Sequence, residues 1–430
     1  MLLVYTQKQT PRLDYSFKHI CTRILGYTVS FTSVIETFIA HQGPKLSYGK
    51  VPMGNELFIQ SQGLLFQQGF EDLEITVTPW EDSVGFFGVS GEKSALPFDI
   101  FSATFYLLSR YEEYMPHVKD ELGRFPPQES LAFKEGFLRQ PVIDIWAFRF
   151  RKVLEMHFPE LPIGNRSFGV HHVVEASRPF EFFQRGFLRN LTGYCQDLFR
   201  LRLKNILLRS RVLLYLRKDP YDTFTFIINA SKKNGAKLSV FFLLGEGFNY
   251  ALDLNTKRKR IRLLVKHVAD YTYVGLVFSF HSLMDTLRLK LEKREWEDLI
   301  HRTLGNTMND KFKVGLPHTY RSLLELEVKR DYSMLYESEI GFRAGTCTPF
   351  LFYDLDYEIK TPLIIHPVCG TTTALSNSKA SEQEVIVNQL LSEVKKVGGT
   401  FSFVFSNKDF TSDRNNKFWK VLFTRNETDE

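Results

Sequence analysis

The stretch LSVFFLL at residues 238–244 contains a single polar side chain, Ser239. An apolar run of this length is typical of a β-strand that is buried on both faces, as strands are in parallel sheets. A second run of the same kind, VGLVFSF, follows at residues 274–280, and residues 261–269 between them have the apolar spacing of a helix. Strand, helix and strand in this order predict a βαβ unit with two parallel strands in one sheet.

Strands and helices also alternate in the rest of the C-terminal part of the chain. Further strands are predicted at residues 168–174, 363–365 and 401–405, and helices at residues 221–234, 287–304 and 382–397. Residues 1–161 instead mix shorter strands and helices, and proline, glycine and asparagine cluster at residues 161–166. We therefore expect an α/β protein with a smaller domain at residues 1–162 and a parallel sheet or barrel at residues 163–430.

The overall composition argues against several classes of protein. Of the 430 residues, 43% are hydrophobic and 40 are Phe, which is enough apolar volume for a sizeable core. The net charge of +6 is too small to indicate nucleic-acid binding. The four cysteines form no CxxC pair, and the sequence has neither a signal-peptide pattern nor an apolar run of about 18 residues. These features predict a cytoplasmic protein without a spanning helix.

Residues 184–218 form a basic run with nine Arg or Lys and one acidic residue, Asp197. Because apolar residues are interleaved with the cations, this run can lie on an anionic membrane surface, at the periphery of the inner membrane. It can also be an insertion in the barrel that packs its apolar side on the protein and solvates its arginines. Packing is the interpretation that the sequence favours, and membrane contact is the alternative.

Several motifs resemble those of one bacterial family. The sequence GFRAGTCTPF at residues 341–350 is preceded by DYSM at residues 331–334, and LLSRYEEYMPHVKDELGRFP begins at Leu107. Together with KDPYDTF at residues 218–224 and SYGKVPMGNELFIQSQGLLFQQG at residues 47–69, they resemble polysaccharide deacetylase-like proteins of the NodB, or carbohydrate esterase 4, type that have a dedicated N-terminal domain. The resemblance covers nearly the whole chain. It implies a distorted (β/α) barrel of the NodB type preceded by a smaller α/β domain.

The resemblance also implies a chemistry. Active relatives of this type hydrolyse an N-acetyl group with a divalent metal that is held by one Asp and two His, assisted by an Asp base and a His acid. Matched to the family's first motif, the base position is His172 and the metal-binding Asp position is Val174. In the second motif the first His position is Val277, and only His281 is retained.

Two further motifs differ from the family pattern. Asp310 lies in the segment where the family has Arg-x-His, and Ser406 stands where the catalytic His is expected. A valine side chain cannot bind a metal, and a hydroxyl does not supply a proton near neutral pH as an imidazole does. The resemblance therefore predicts a degenerate catalytic site and no metal cofactor.

Three functions stay open on this basis. The favoured one is a pseudoenzyme that binds a glycan, a lipid-linked sugar or a protein partner in bacterial envelope polysaccharide biology. The second is an active metal-dependent carbohydrate N-deacetylase in which His172, Glu175 and His281 bind Zn²⁺ instead. The third is a non-catalytic protein scaffold. Asp331 and Arg343 are further pocket candidates, and Arg343 either binds a substrate anion or pairs with Asp331.

Overall fold

The computed structural model of the protein describes residues 1–91, 93–161, 164, 166–183, 186–245, 259–412 and 416–425. The predicted boundary between residues 162 and 163 lies outside the described residues, and so do the first two residues of the basic run, 184 and 185.

The N-terminal part of the chain is built on a small parallel sheet. Its strands are β1 (Leu2–Tyr5), β2 (Val29–Thr32), β3 (Lys45–Gly49) and β4 (Leu57–Gln60), in the order β2-β1-β3-β4, and a separate antiparallel pair consists of β5 (Val77–Trp80) and β6 (Ser83–Phe86). The helices are α1 (Pro11–Phe17), α2 (Ile35–Ala40), α3 (Ile100–Leu108), α4 (Leu131–Lys134) and α5 (Val142–His157). Every residue of α3 is buried, so this helix lies at the centre of the N-terminal part.

The C-terminal part is built on an eight-stranded sheet. Its strands are β7 (Gly169–Ala176), β8 (Lys237–Leu243), β9 (Tyr273–Phe278), β10 (Asn306–Asn309), β11 (Arg330–Asp331), β12 (Phe350–Asp354), β13 (Ile359–Ile365) and β14 (Thr400–Ser406), in the order β12-β13-β11-β10-β9-β8-β7-β14. All neighbours are parallel except β12 and β13. Strands β8 and β9 are adjacent and parallel, which confirms the predicted βαβ unit.

Helices connect most of these strands. They are α6 (Gly186–Phe199), α7 (Leu203–Leu213), α8 (Phe224–Asn234), α9 (Lys259–Ala269), α10 (Thr286–Ile300), α11 (His318–Glu325), α12 (Ala380–Lys396) and α13 (Lys417–Thr424). Among the described residues, no helix is long and apolar enough to cross a membrane.

The eight-stranded sheet curls around a core of its own. This inner cluster takes side chains from five of its strands and from the segments after β10, β11 and β13, namely Val173, Phe241, Leu243, Val277, Met308, Phe312, Tyr332, Leu335, Val368 and Val404. A single parallel bridge, Thr371 with Val404, joins the segment after β13 to β14 and brings the two sides of the curled sheet together. The observed fold is therefore α/β with a distorted, barrel-like sheet, as predicted.

The two parts share a buried interface that contains the motifs with the strongest family resemblance. The Arg343 guanidinium donates to both Glu113 carboxylate oxygens, at 3.0 and 2.8 Å, and Arg110 Nε donates to Glu113 Oε1 at 2.8 Å. All three side chains are nearly inaccessible to solvent. Arg343 pairs with the N-terminal part, so the predicted pairing with Asp331 is wrong. The reason is that the Arg343 guanidinium donates its hydrogen bonds to Glu113, which lies 230 residues earlier in the chain.

Candidate functional site

The register of β7 decides which residues reach the interior of the barrel. Val173 belongs to the inner cluster, whereas Val174 packs in the larger core outside the sheet. The His172 ring stacks on Phe423 of α13 with a centroid distance of 4.1 Å and also faces outward. Successive strand residues point to opposite faces, so His172 and Val174 both point away from the mouth. Neither side chain therefore faces the mouth, where a base and a metal ligand would have to lie.

The inward positions near the end of β7 are therefore Val173 and Glu175. Val173 belongs to the same inner apolar cluster as Val277 of β9. Glu175 retains partial exposure at the carboxyl end of the strand. This end of a parallel barrel is where functional residues usually gather.

Charged residues from three strand ends meet around Glu175. Burial raises the pKa of Glu175, and the nearby negative charge of Asp310 raises it further. A hydrogen bond from the Ser177 hydroxyl and the positive charges of Lys408 and Lys311 act in the opposite direction. We call Glu175, Asp310, Lys311 and Lys408 the mouth cluster.

Lys408 of this cluster and Lys313, two residues after Lys311, are partly dehydrated and lie near aromatic rings. Burial lowers the pKa of Lys408, and so does the neighbouring charge of Arg178. Lys408 Nζ lies 5.8 Å from the centroid of the half-buried Tyr221 ring, and Lys313 Nζ lies 4.3 Å from that of Phe280. The mouth thus combines two carboxylates, ammonium groups and two ring faces.

Ser406, at the predicted acid position, ends β14 beside Glu175. Its hydroxyl accepts a hydrogen bond from the Lys408 amide at 3.4 Å, and its own amide donates to Asp409 Oδ2 at 2.7 Å. Ser406 therefore starts the short turn that carries Lys408 to the mouth.

His281 belongs to a separate polar pocket. The pocket is also lined by Ser279, Ser282 and Glu292, and the Glu292 carboxylate accepts hydrogen bonds from both hydroxyls. Burial raises the pKa of Glu292.

The alternative zinc ligands His172, Glu175 and His281 are not brought together, because His172 lies outside the sheet. Within the part of the chain that the structure describes, no three His, Cys, Asp or Glu side chains are arranged to hold a metal ion. The residues present therefore do not fit the metal centre that the family resemblance implies.

Asp331 supports the barrel and does not line the mouth. It is fully buried and accepts hydrogen bonds from the Ser333 amide and hydroxyl, both at 2.9 Å. Burial raises its pKa to about 6.

Sequence reasoning missed the two lysines of the mouth cluster. The sequence offered a signal for Lys408, which follows the predicted strand at residues 401–405 by three residues, but none for Lys311, because β10 was not predicted.

Comparison with known proteins gives one family and several structural neighbours. Residues 2–159 match a family of unknown function (DUF7033), and no curated protein matches the chain. A solved structure described as a putative polysaccharide deacetylase from Mycobacterium smegmatis is similar with a TM-score of 0.37 and 10% identity, over 60% of this chain and 85% of that one. A polysaccharide deacetylase from Bacillus cereus is similar with a TM-score of 0.29 and 10% identity, over 60% and 85%.

A third neighbour is described as a mutant of a CE4 family pseudoenzyme with restored enzymatic activity. It is similar with a TM-score of 0.31 and 7% identity, over 61% of this chain and 62% of that one. The structural neighbours of the chain thus include polysaccharide deacetylases and one pseudoenzyme of the CE4 family.

Proposed function

We propose that the protein is a catalytically degenerate, deacetylase-like barrel that binds a glycan, free or lipid-linked, at the mouth cluster. The observation that carries this proposal is the juxtaposition of Glu175, Asp310 and Lys408 at the carboxyl end of the barrel, above an inner wall of Val173 and Val277. Strand ends of a barrel supply the polar groups of a binding site, while the inner wall beneath them is structural.

The chemistry of the mouth suits a sugar. Carboxylates accept hydrogen bonds from sugar hydroxyls or an amino group, and ammonium groups donate to hydroxyls or to an acidic substituent. The Tyr221 and Phe280 rings near the lysines offer apolar faces for the C–H side of a pyranose ring. Binding at such a mouth requires no proton transfer.

Hydrolysis of an N-acetyl group is not favoured by the same residues. A catalytic zinc requires about three protein donors and one open position. Val277 offers no lone pair, and among the described residues Glu175 is not joined by two further His, Cys, Asp or Glu donors. For this reason we place ligand binding, and no catalytic step, at the mouth cluster.

Thermal unfolding in the presence of defined oligosaccharides tests the proposal. The set consists of a tetramer of N-acetylglucosamine, a tetramer of glucosamine and a uronic-acid tetramer. A ligand of the folded state at about 100 times its Kd stabilises that state by about 2.7 kcal/mol, so at least one compound should raise the Tm measurably. The Glu175→Gln, Asp310→Asn double variant should lose that rise. Glu384→Gln, an exposed carboxylate on α12, should keep it.

The competing functions give different results. Acetate release from the acetylated tetramer that a chelator abolishes would show an active deacetylase and overturn the proposal. A folded protein whose Tm responds to none of the three compounds would leave a scaffold function and would equally overturn it.

A further inference from the structure

The helices α6 and α7 form a hairpin whose turn carries exposed apolar side chains. Phe199 is 89% exposed, Leu201 81% and Leu203 66%. The sequence favoured an insertion that packs its apolar side on the protein, but these side chains extend into solvent. We call residues 198–204 the hairpin tip.

The exposed apolar residues of the hairpin tip alternate with cations. Arg200, Arg202 and Lys204 are all exposed. The one acidic residue of the basic run, Asp197, does not balance them, because its Oδ2 accepts from Arg209 Nη2 at 2.7 Å in a buried pair. The hairpin tip therefore presents three positive charges and several large apolar groups together.

The opposite side of the hairpin is fixed to the protein. Val212 is fully buried, and the Tyr194 and Ser210 hydroxyls are hydrogen-bonded across the two helices at 2.9 Å. The Arg209 guanidinium lies 5.1 Å from the Phe182 ring centroid and 5.3 Å from that of Tyr194. The hairpin tip is thus held out on a packed base.

We propose that the hairpin tip docks on an anionic phospholipid bilayer, a function separate from glycan binding at the mouth cluster. The apolar side chains enter the headgroup region, and the flanking Arg and Lys side chains contact the lipid phosphates. The long aliphatic parts of these basic side chains cover apolar surface. Charge complementarity specifies the occupant, because three exposed cations that form no ion pair with another described residue match an anionic lipid surface. A protein partner with an acidic face is the competing occupant, which the test distinguishes.

Cys195 provides a selective reporter for the test. It is exposed on α6 one helical turn before Phe199, and the other three cysteines are buried. The full chain, labelled there with an environment-sensitive fluorophore, is mixed with anionic vesicles of about 70% phosphatidylcholine and about 30% phosphatidylserine, or with neutral vesicles of phosphatidylcholine alone. Each mixture is also centrifuged, to measure pelleting. We expect a blue shift and pelleting with the anionic vesicles only, reversed by salt because exposed charges are screened.

Two variants separate charge from insertion. Arg200→Gln with Arg202→Gln and Lys204→Gln should lower the partition coefficient on the order of a hundredfold, at about fivefold for each cation. The matched control removes three exposed cations elsewhere, by Lys290→Gln, Arg294→Gln and Arg302→Gln, and should bind like the wild type.

In the second variant, Phe199→Ser with Leu201→Ser should abolish the blue shift while part of the low-salt pelleting remains. Equal binding of both triple variants would overturn the proposal, because general charge would then suffice. A folded wild type that pellets with neither vesicle would also overturn it and would leave an acidic protein partner as the occupant of the hairpin tip. Glycan-induced stabilisation is measured without vesicles, so either proposal can fail alone.

Discussion

Replacing His172 by Phe should change how the stability of the protein depends on pH. The imidazole is buried, with its ring stacked on Phe423 and tilted edge-on to Phe405. Burial lowers the pKa of His172 from 6.5 to about 3. Phe would occupy the same aromatic stack without a group that titrates.

The size of the effect follows from the two pKa values. Above pH 6.5 the imidazole is neutral in both states and does not reduce the stability of the fold. As the pH falls from 6.5 towards 3, the unfolded state binds a proton that the folded state does not, so the free energy of unfolding decreases. At pH 5 the unfolded state gains about 2 kcal/mol from protonating this one side chain, and at pH 4 about 3 kcal/mol. Three other buried histidines, His19, His171 and His366, also have lowered pKa values and add to the loss.

The assay is urea unfolding of the wild type and of His172→Phe at pH 7.5 and pH 5.0. The larger Phe ring changes stability by a similar amount at both pH values, so the difference between them isolates the titration. We expect the wild type to lose about 2 kcal/mol more than the variant on acidification. His157→Phe is the control, because His157 is exposed at the end of α5. Identical losses for the wild type and His172→Phe would refute the buried, outward-facing position of His172.

The remaining predictions concern the interface and the barrel support. Glu113→Gln should lower the free energy of unfolding by about 3–5 kcal/mol in urea titration, because Arg343 would stay buried without a carboxylate. Gly341→Ala should lower it by about 2 kcal/mol or more, because the backbone has φ +148° and the new Cβ would lie 2.3 Å from the Leu138 carbonyl oxygen. The Asp331 carboxyl has a pKa of about 6 when folded and 3.8 as a free side chain. Its ionisation therefore costs the wild type about 2.4 kcal/mol between pH 4 and pH 7, a loss that Asp331→Asn should remove from the measured pH profile.

Matched variants control for general damage. Gly305→Ala adds a Cβ that meets no atom within 4 Å and should leave the Tm nearly unchanged. Glu135→Gln removes an exposed carboxylate of the N-terminal part and should cost less than about 0.5 kcal/mol. Losses equal to those of Gly341→Ala and Glu113→Gln would contradict the proposed contacts.

The parallel pairing of β8 with β9 was predictable because both strands are apolar on both sides. Strands β8 and β9 were expected from their sequences, and the structure pairs them in parallel. The same property concealed the register of β7. Its sequence, GVHHVVEA, has no alternation of apolar and polar residues that would show which side chains face inward. His172 and Val174 were therefore assigned to the wrong face.

The contacts that join distant parts of the chain could not be predicted from sequence. The sequence suggested a substrate anion or Asp331 as the partner of Arg343, whereas in the structure Arg343 binds Glu113. The two lysines of the mouth cluster were missed for a similar reason, because Lys311 and Lys408 approach Glu175 only after the sheet has curled. Sequence patterns predict individual strands and helices, whereas the contacts between distant side chains depend on how the sheet curls and how the two parts of the chain pack.

The buried contact of Arg110 and Arg343 with Glu113 has a consequence for how this chain can be divided. The match to the family of unknown function ends at residue 159, which invites separate production of the two parts. Cutting there would expose the Glu113 carboxylate on one fragment and leave the Arg343 guanidinium on the other, each within an apolar surface that is normally covered. Mixing the two fragments should therefore restore solubility that neither has alone, in the manner of a split protein that reassembles from its halves.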